Sequence, residues 1–134
     1  VYRNSEVEIP VSIRIPCGLI EDVSLRRAVY EASMNATLVA LRECEEYFGI
    51  VCSVGKLDVV LTPEHRLSGM ETDACLLIRV TPSDIRSISG SLRQRRQYLD
   101  HIASTVFHEV AHAISHLVLL SLLHLWLTVE HSFG

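Results

Sequence analysis

The chain has 134 residues, of which 49% are hydrophobic, and a formal net charge of -4 at pH 7. This length and composition exclude an intrinsically disordered chain and allow one domain with a hydrophobic core. The mild negative charge gives no reason to expect binding to nucleic acid or to an anionic membrane. Because the chain begins with Val1 rather than methionine, we expect residues 1–134 to be a single domain that is a processed product or an excised part of a longer protein.

Two elements are predicted in the first third of the chain. Residues 7–15 alternate between apolar and polar side chains, which is typical of a strand with one buried face. Residues 21–48 have apolar side chains at helical spacing and contain neither glycine nor proline, so they predict a long helix. Asp22 lies near the start of this helix, where a carboxylate is favourable, and Gly49 is a natural C-terminal stop.

The middle of the chain predicts further strands and then a second long helix. Residues 50–61 predict one strand or a short hairpin about Gly55, and residues 74–80 predict a short apolar strand. Residues 83–91 are predicted to form a loop, and helical spacing resumes at Leu92. This order of elements predicts an α+β fold in which a small sheet and a long helix precede a final helix.

Two groups of residues are not expected to form sites. The four cysteines contain no C-x-x-C pair, so a cysteine-based zinc knuckle is not predicted. Arg93, Arg95 and Arg96 form one turn of arginines, which is typical of a solvated helix face rather than of a nucleic-acid interface.

Residues that can perform chemistry are concentrated in residues 107–116, whose sequence is FHEVAHAISH. His108 and His112 are one helical turn apart, so both imidazoles share a face and can reach one zinc ion at about 2.1 Å. Glu109 follows the first histidine and projects beside the ion. There it can take a proton from a zinc-bound water and pass it to a leaving amine. The H-E-x-x-H spacing therefore predicts a zinc site with His108 and His112 as ligands and Glu109 as general base.

The stretch FHEVAHAIS, residues 107–115, resembles the active-site helix of the zincin metallopeptidases. The resemblance implies a small twisted sheet backed by a long helix and followed by the H-E-x-x-H helix, in the order predicted above. It also implies that the edge strand of the sheet binds the backbone of a peptide substrate by strand addition. ACLLIRV, residues 74–80, is the candidate for this edge, with Leu76, Leu77 and Ile78 at its centre.

A catalytic zinc site needs a third protein ligand, and His116 is the nearest candidate in the sequence. His116 comes eight residues after His108, about 12 Å along one helix, which is too far for a single ion unless the helix breaks. We therefore interpret His116 as a histidine outside the metal shell. The metzincin pattern, H-E-x-x-H-x-x-G-x-x-H, is not met, because Ser115 stands at the glycine that allows a sharp turn and Val118 at the last histidine.

The gluzincin pattern implies instead a glutamate on a second helix after the motif. LHLWLTVEHSFG, residues 123–134, is similar to the corresponding segment of the aminopeptidase branch, which makes Glu130 the candidate third ligand in a minimal gluzincin-like catalytic domain. In a continuous helix Glu130 would lie about 27 Å from His112, so this assignment requires a break within residues 115–121. The weaker alternative is a leishmanolysin-like site, because residues 71–84 are similar to the strand that precedes the zinc helix in that group.

Residues 117–129 are apolar on nearly all sides of a helix. The run is shorter than the roughly 20 residues needed to cross a bilayer, so no transmembrane segment is predicted. A buried core helix is the first interpretation. The alternative is self-association through residues 117–129, including a dimer in which another chain supplies the third zinc ligand.

Three functional hypotheses follow from these features. The first is a zinc-dependent metallopeptidase that hydrolyses a peptide or protein substrate by means of a Glu109-activated, zinc-bound water. The second is a catalytically inactive zincin-like module that binds zinc or another protein. The third is a helical interaction protein whose apolar run binds a partner, with the histidines incidental.

Overall fold

The computed structural model of the protein describes residues 2–3, 10–49, 56–63 and 74–133. Within them, four strands form one sheet in chain order: β1 (Tyr2–Arg3), β2 (Val11–Arg14), β3 (Leu57–Thr62) and β4 (Ala74–Arg79). β1 is antiparallel to β2, whereas β2, β3 and β4 are parallel to one another. The part of the predicted first strand at 7–9 and the alternative hairpin around Gly55 lie outside the described residues.

One face of the sheet is buried in the hydrophobic core. In β3 every second side chain is fully buried: Leu57, Val59 and Leu61. The register continues this face across the sheet, because Val59 pairs with Ile13 of β2 and with Leu76 of β4, both of which are also buried. The alternation of side chains along a strand therefore separates a core face from a partly exposed, more polar face.

The crossover between β2 and β3 contains the long predicted helix, α1 (Val23–Phe48). Parallel neighbouring strands need such a crossover, because a tight turn can join only antiparallel strands. Asp22 caps the helix by accepting hydrogen bonds from the backbone N–H groups of Ser24 at 2.8 Å and Leu25 at 3.2 Å. Gly49 ends the helix in the left-handed conformation, with φ of 67°, which glycine adopts without a steric penalty.

A short helix, α2 (Pro82–Ile88), occupies most of the segment predicted to be a loop, and that prediction is wrong. Thr81 and Asp84 form a reciprocal capping box: Thr81 Oγ1 accepts from the Asp84 N–H at 3.2 Å, and Asp84 Oδ2 accepts from the Thr81 N–H at 2.7 Å. Pro82 suits the first helical position. Ile88 anchors the far end in the core, so caps and one buried side chain are enough for two turns.

The last element is α3 (Leu92–Phe133), a single helix of 42 residues and about 63 Å. Ser91 and Gln94 cap its start, since Ser91 Oγ accepts from the Gln94 N–H at 3.2 Å and Gln94 Oε1 accepts from the Ser91 N–H at 2.9 Å. The helix begins where the periodicity predicts. The break within residues 115–121 that the Glu130 assignment requires is not present.

Helices α1 and α3 pack against each other, and each also contacts the sheet, α1 at β2 and α3 at β4. The core face of α3 is a stripe of residues spaced four apart: Tyr98, Ile102, Val106, Val110 and Ile114. The structure therefore confirms the predicted α+β class, with a small sheet packed against long helices. It places the H-E-x-x-H motif on the helix that follows the sheet.

Candidate metal centre

His108 and His112 lie one turn apart on α3, and both side chains are exposed. Their ring centroids are 4.4 Å apart, with an angle of 79° between the ring planes. At this separation both rings can direct a nitrogen at one ion about 2.1 Å away. The two rings are therefore close together, as the spacing of the two residues on one helix predicts, and their role as zinc ligands stays a prediction.

The histidine face of α3 points away from the core. His108 and His112 each lie two residues from the buried Val110, which places them about 160° around the helix from it. Glu109 is exposed as well. All three side chains of the motif are thus accessible to a substrate or to another chain, and α3 is held in place by its opposite face.

A groove of about 640 Å³ between α1 and α3 reaches His108. Asp100, Ser104 and His108 line it from α3, at a spacing of four residues, and Phe107 and Asn35 contribute from α3 and α1. Apolar walls with a few polar groups are typical of ligand sites. The amino-acid sequence does not predict this groove, because the groove depends on the packing of two helices that are distant in sequence. Its one signal in the sequence is the spacing of the three α3 residues.

No third metal ligand accompanies the histidine pair within one chain, as far as the structure describes it. Among the described residues, no group of three His, Cys, Asp or Glu side chains is placed to hold a metal ion. Glu130 lies on the same unbroken helix, about 27 Å along its axis from His112. The predicted Glu130 ligation is therefore not met within a single chain, because the second helix that would return Glu130 to the motif does not form.

Ser115, near which the Glu130 assignment requires a break, lies inside the continuous helix. Its hydroxyl donates to the carbonyl oxygen of Ala111 at 2.7 Å, so the serine is satisfied inside the helix rather than in a turn. No glycine or proline follows before Gly134. His116 is exposed on this continuous helix, about 12 Å along its axis from His108, and stays outside the reach of an ion held by the pair.

The apolar segment after the motif is not a buried core helix, so the first interpretation of residues 117–129 is wrong. Its described large apolar side chains are 44% to 62% exposed: Leu119, Leu120, Leu122, Leu123, Leu125, Trp126, Leu127 and Val129. The reason is that α3 extends past the elements against which it packs, and Ala113 and Ile114 are its last core residues. Among the helices as described, none has an apolar stretch long enough to cross a membrane.

β4 is the last strand in the sheet order, so its outer edge has no neighbouring strand in the part of the chain that the structure describes. Leu76 and Ile78 are buried in the core, whereas Leu77 is partly exposed. A peptide that added to this edge would pair with its backbone, and of these three side chains only that of Leu77 lies on the accessible face of the strand. The predicted role of these three residues in substrate binding stays a prediction.

Comparison of the chain with family models, with curated proteins and with solved structures finds no match. The resemblance of residues 107–115 to the zincin active-site helix therefore rests on the motif and its chemistry.

Proposed function

We propose that the protein is a zinc-dependent metallopeptidase with a zincin-like active-site helix. The observation that carries the proposal is the pair of exposed imidazoles of His108 and His112, 4.4 Å apart on one face of α3, with Glu109 beside them. Two surface histidines alone would lack a general base and a place for a substrate. Here the glutamate is part of the motif, and a groove of about 640 Å³ borders His108.

The residues of the motif divide the chemistry between them. His108 and His112 would each hold the ion through one ring nitrogen, with a third protein ligand completing the shell. When bound, zinc lowers the pKa of a water molecule and polarises the scissile carbonyl. Glu109 removes a proton from the attacking water with its carboxylate and delivers that proton to the leaving amine nitrogen.

The first test of the proposal is the substitution Glu109→Gln. An amide cannot accept the proton, so we expect peptide hydrolysis to fall by at least about 100-fold while the bound zinc per chain is unchanged. Zinc is measured by metal analysis, and hydrolysis by mass spectrometry of a peptide library. Hydrolysis at the wild-type rate in this variant would remove Glu109 from the mechanism.

The second test concerns the ligands. His112→Ala removes one of the two ring nitrogens, and we expect loss of bound zinc and of hydrolysis. His124→Ala is the matched control, because His124 is an exposed histidine on the same helix outside the motif. Equal zinc binding by both variants would contradict the assignment of His112 as a ligand.

A second candidate function is a catalytically inactive zinc-binding or protein-interaction module. The exposed apolar side chains after the motif favour it, since an interaction surface would explain them without hydrolysis. Zinc bound by His108 and His112 with no hydrolysis of any peptide in the library would support this function over the peptidase.

A further inference from the structure

The histidine face of α3 continues along the helix as a regular stripe of exposed side chains. Its members are His112, His116, Leu119, Leu123, Trp126 and Glu130, spaced alternately four and three residues apart. This alternation is the heptad spacing of a helix that packs along a second helix. Glu130 comes eighteen residues after His112, which is about five turns, so the two residues lie on the same face at opposite ends of the stripe.

The exposed apolar surface around this stripe is too large to be left in water. Eight large apolar side chains between residues 119 and 129 are each about half exposed. Three of them lie on the stripe itself, Leu119, Leu123 and Trp126, and are 51% to 62% exposed, so a partner that packs along the stripe removes three large apolar side chains of each chain from water. The segment also extends beyond the core, so nothing else in the described structure covers it.

We propose that a second copy of this chain covers the stripe and that the two copies of α3 run antiparallel. The spacing of the stripe is symmetric about residue 121, so reversal of one helix superimposes the stripe on itself. Leu119 of each chain then lies level with Leu123 of its partner, and His116 lies level with Trp126 of the partner. A two-fold dimer needs this self-complementarity.

The charges of the stripe select the antiparallel orientation. In a parallel pair, Glu130 would face Glu130 of the partner, which brings two carboxylates together in an apolar interface. In the antiparallel pair, Glu130 of one chain lies level with His112 of the other. The core residues Val110 and Ile114 of α3 lie on the opposite side of the helix from the stripe, so the stripe faces away from the core of its own domain.

The consequence is a composite metal site at each end of the paired helices. His108 and His112 of one chain and Glu130 of its partner form the two-histidine, one-carboxylate set that a catalytic zinc site requires. This inference rests on the proposed zinc function and assigns its missing third ligand. It also explains why Glu130 shares a face with the motif although a continuous helix separates them within one chain.

The dimer is tested by the molecular mass of the 134-residue chain in solution, with and without zinc. We expect twice the 15.0 kDa of one chain, and a shift to one chain's mass for Leu123→Asp. Leu125→Asp is the matched control, because Leu125 is similarly exposed but lies off the stripe, and it is expected to remain dimeric. A monomeric wild-type chain at micromolar concentration, or a dimer that survives Leu123→Asp, would overturn the proposal.

The composite site is tested by mixing two inactive variants. Glu130→Gln alone and His112→Ala alone should each bind zinc at least about 100-fold more weakly than wild type, since each removes a ligand. In a mixed dimer, one site recombines the intact histidines of the first chain with Glu130 of the second. The other site of the mixed dimer lacks both ligands, so we expect mixed dimers to bind up to half the zinc of wild-type dimers. Zinc binding by the mixture that is no greater than that of the separate variants would contradict the shared site.

Circular dichroism of each variant confirms that the fold is retained before zinc is measured. Emission from Trp126, the one tryptophan of the chain, gives an independent readout, because pairing buries it against His116 of the partner. Failure of this inference is distinguishable from failure of the proposed function. Zinc held tightly by a monomer and unaffected by Glu130→Gln overturns the composite site alone, whereas a wild-type chain that binds no zinc overturns the proposed function as well.

Discussion

Asp58 illustrates how single residues stabilise the fold away from the site. It accepts a hydrogen bond from Ser12 Oγ on the neighbouring strand, and its carboxylate lies 3.3 Å from Lys56 Nζ and 3.9 Å from Arg14 Nε. Partial burial alone would raise the pKa of Asp58. The hydrogen bonds from Ser12 and Lys56 and the charges of Lys56 and Arg14 outweigh it, so the pKa is held below its usual value.

This lowered pKa makes the stability of the protein depend on pH in the acid range. The folded state binds fewer protons at Asp58 than the unfolded state, so the stabilisation is present above the unfolded pKa of about 4 and is lost as the pH falls through the folded pKa. We expect Asp58→Asn to lower the free energy of unfolding by about 1–2 kcal/mol at pH 7. The difference from wild type should shrink towards pH 3.

Urea unfolding at the two pH values measures this effect. Glu43→Gln, at an exposed position on α1, is the control and is expected to change the free energy of unfolding by less than about 0.5 kcal/mol. If Asp58→Asn lowers the free energy of unfolding equally at both pH values, the charge of Asp58 is not the source of the stabilisation.

At the scale of an element, the two halves of α3 differ in what stabilises them. The Ser91–Gln94 capping box and the buried stripe from Tyr98 to Ile114 hold its first half. Beyond Ile114 the helix depends on intrinsic propensity and on whatever covers its apolar side chains, since helices of this length are marginal in water by themselves. The second half of α3 should therefore be its less stable part.

A glycine in the second half of α3 should loosen that half without affecting the core. Leu125→Gly is expected to destabilise the local helix by about 1 kcal/mol relative to Leu125→Ala, because glycine has a lower helix propensity. Amide hydrogen exchange at residues 119–131 should then be roughly fivefold faster in the glycine variant. Exchange at the same rate in both variants would mean that this segment is not helical in solution.

At the scale of the whole molecule, one core joins α1, α3 and the buried face of the sheet, and it positions the motif through the opposite face of α3. Ile102 is 2% exposed within this core. The position of the histidine pair thus depends on the packing of core residues such as Ile102, which lies about two turns before His108 on the same helix.

Removal of core volume should therefore lower stability. Ile102→Ala is expected to reduce the free energy of unfolding by about 2–5 kcal/mol through lost burial and a residual cavity. Leu92→Ala, at a 77% exposed position of the same helix, should change it by less than about 0.5 kcal/mol. Chemical unfolding of the two variants makes the comparison, and equal losses would place Ile102 outside the core.

Local features account for most of what the amino-acid sequence could predict. Asp22 and Gly49 mark the ends of α1, alternation marks β3, and the H-E-x-x-H spacing brings His108 and His112 together, because each signal acts within a few residues. The short helix α2 was also encoded locally, by Thr81 and Asp84, although the polar composition of its segment favoured a loop.

The remaining features depend on contacts between distant parts of the chain. The groove beside His108 exists because α1 packs against α3, and the exposure of the segment after Ile114 follows from where the core ends. Local patterns could not show whether the leucine-rich segment turns back towards the motif. That depends on whether burial of the segment against the core is more stable than continuation of the helix. The unbroken α3 decides that Glu130 stays remote from His112 of its own chain, because 18 residues of helix hold the two about 27 Å apart.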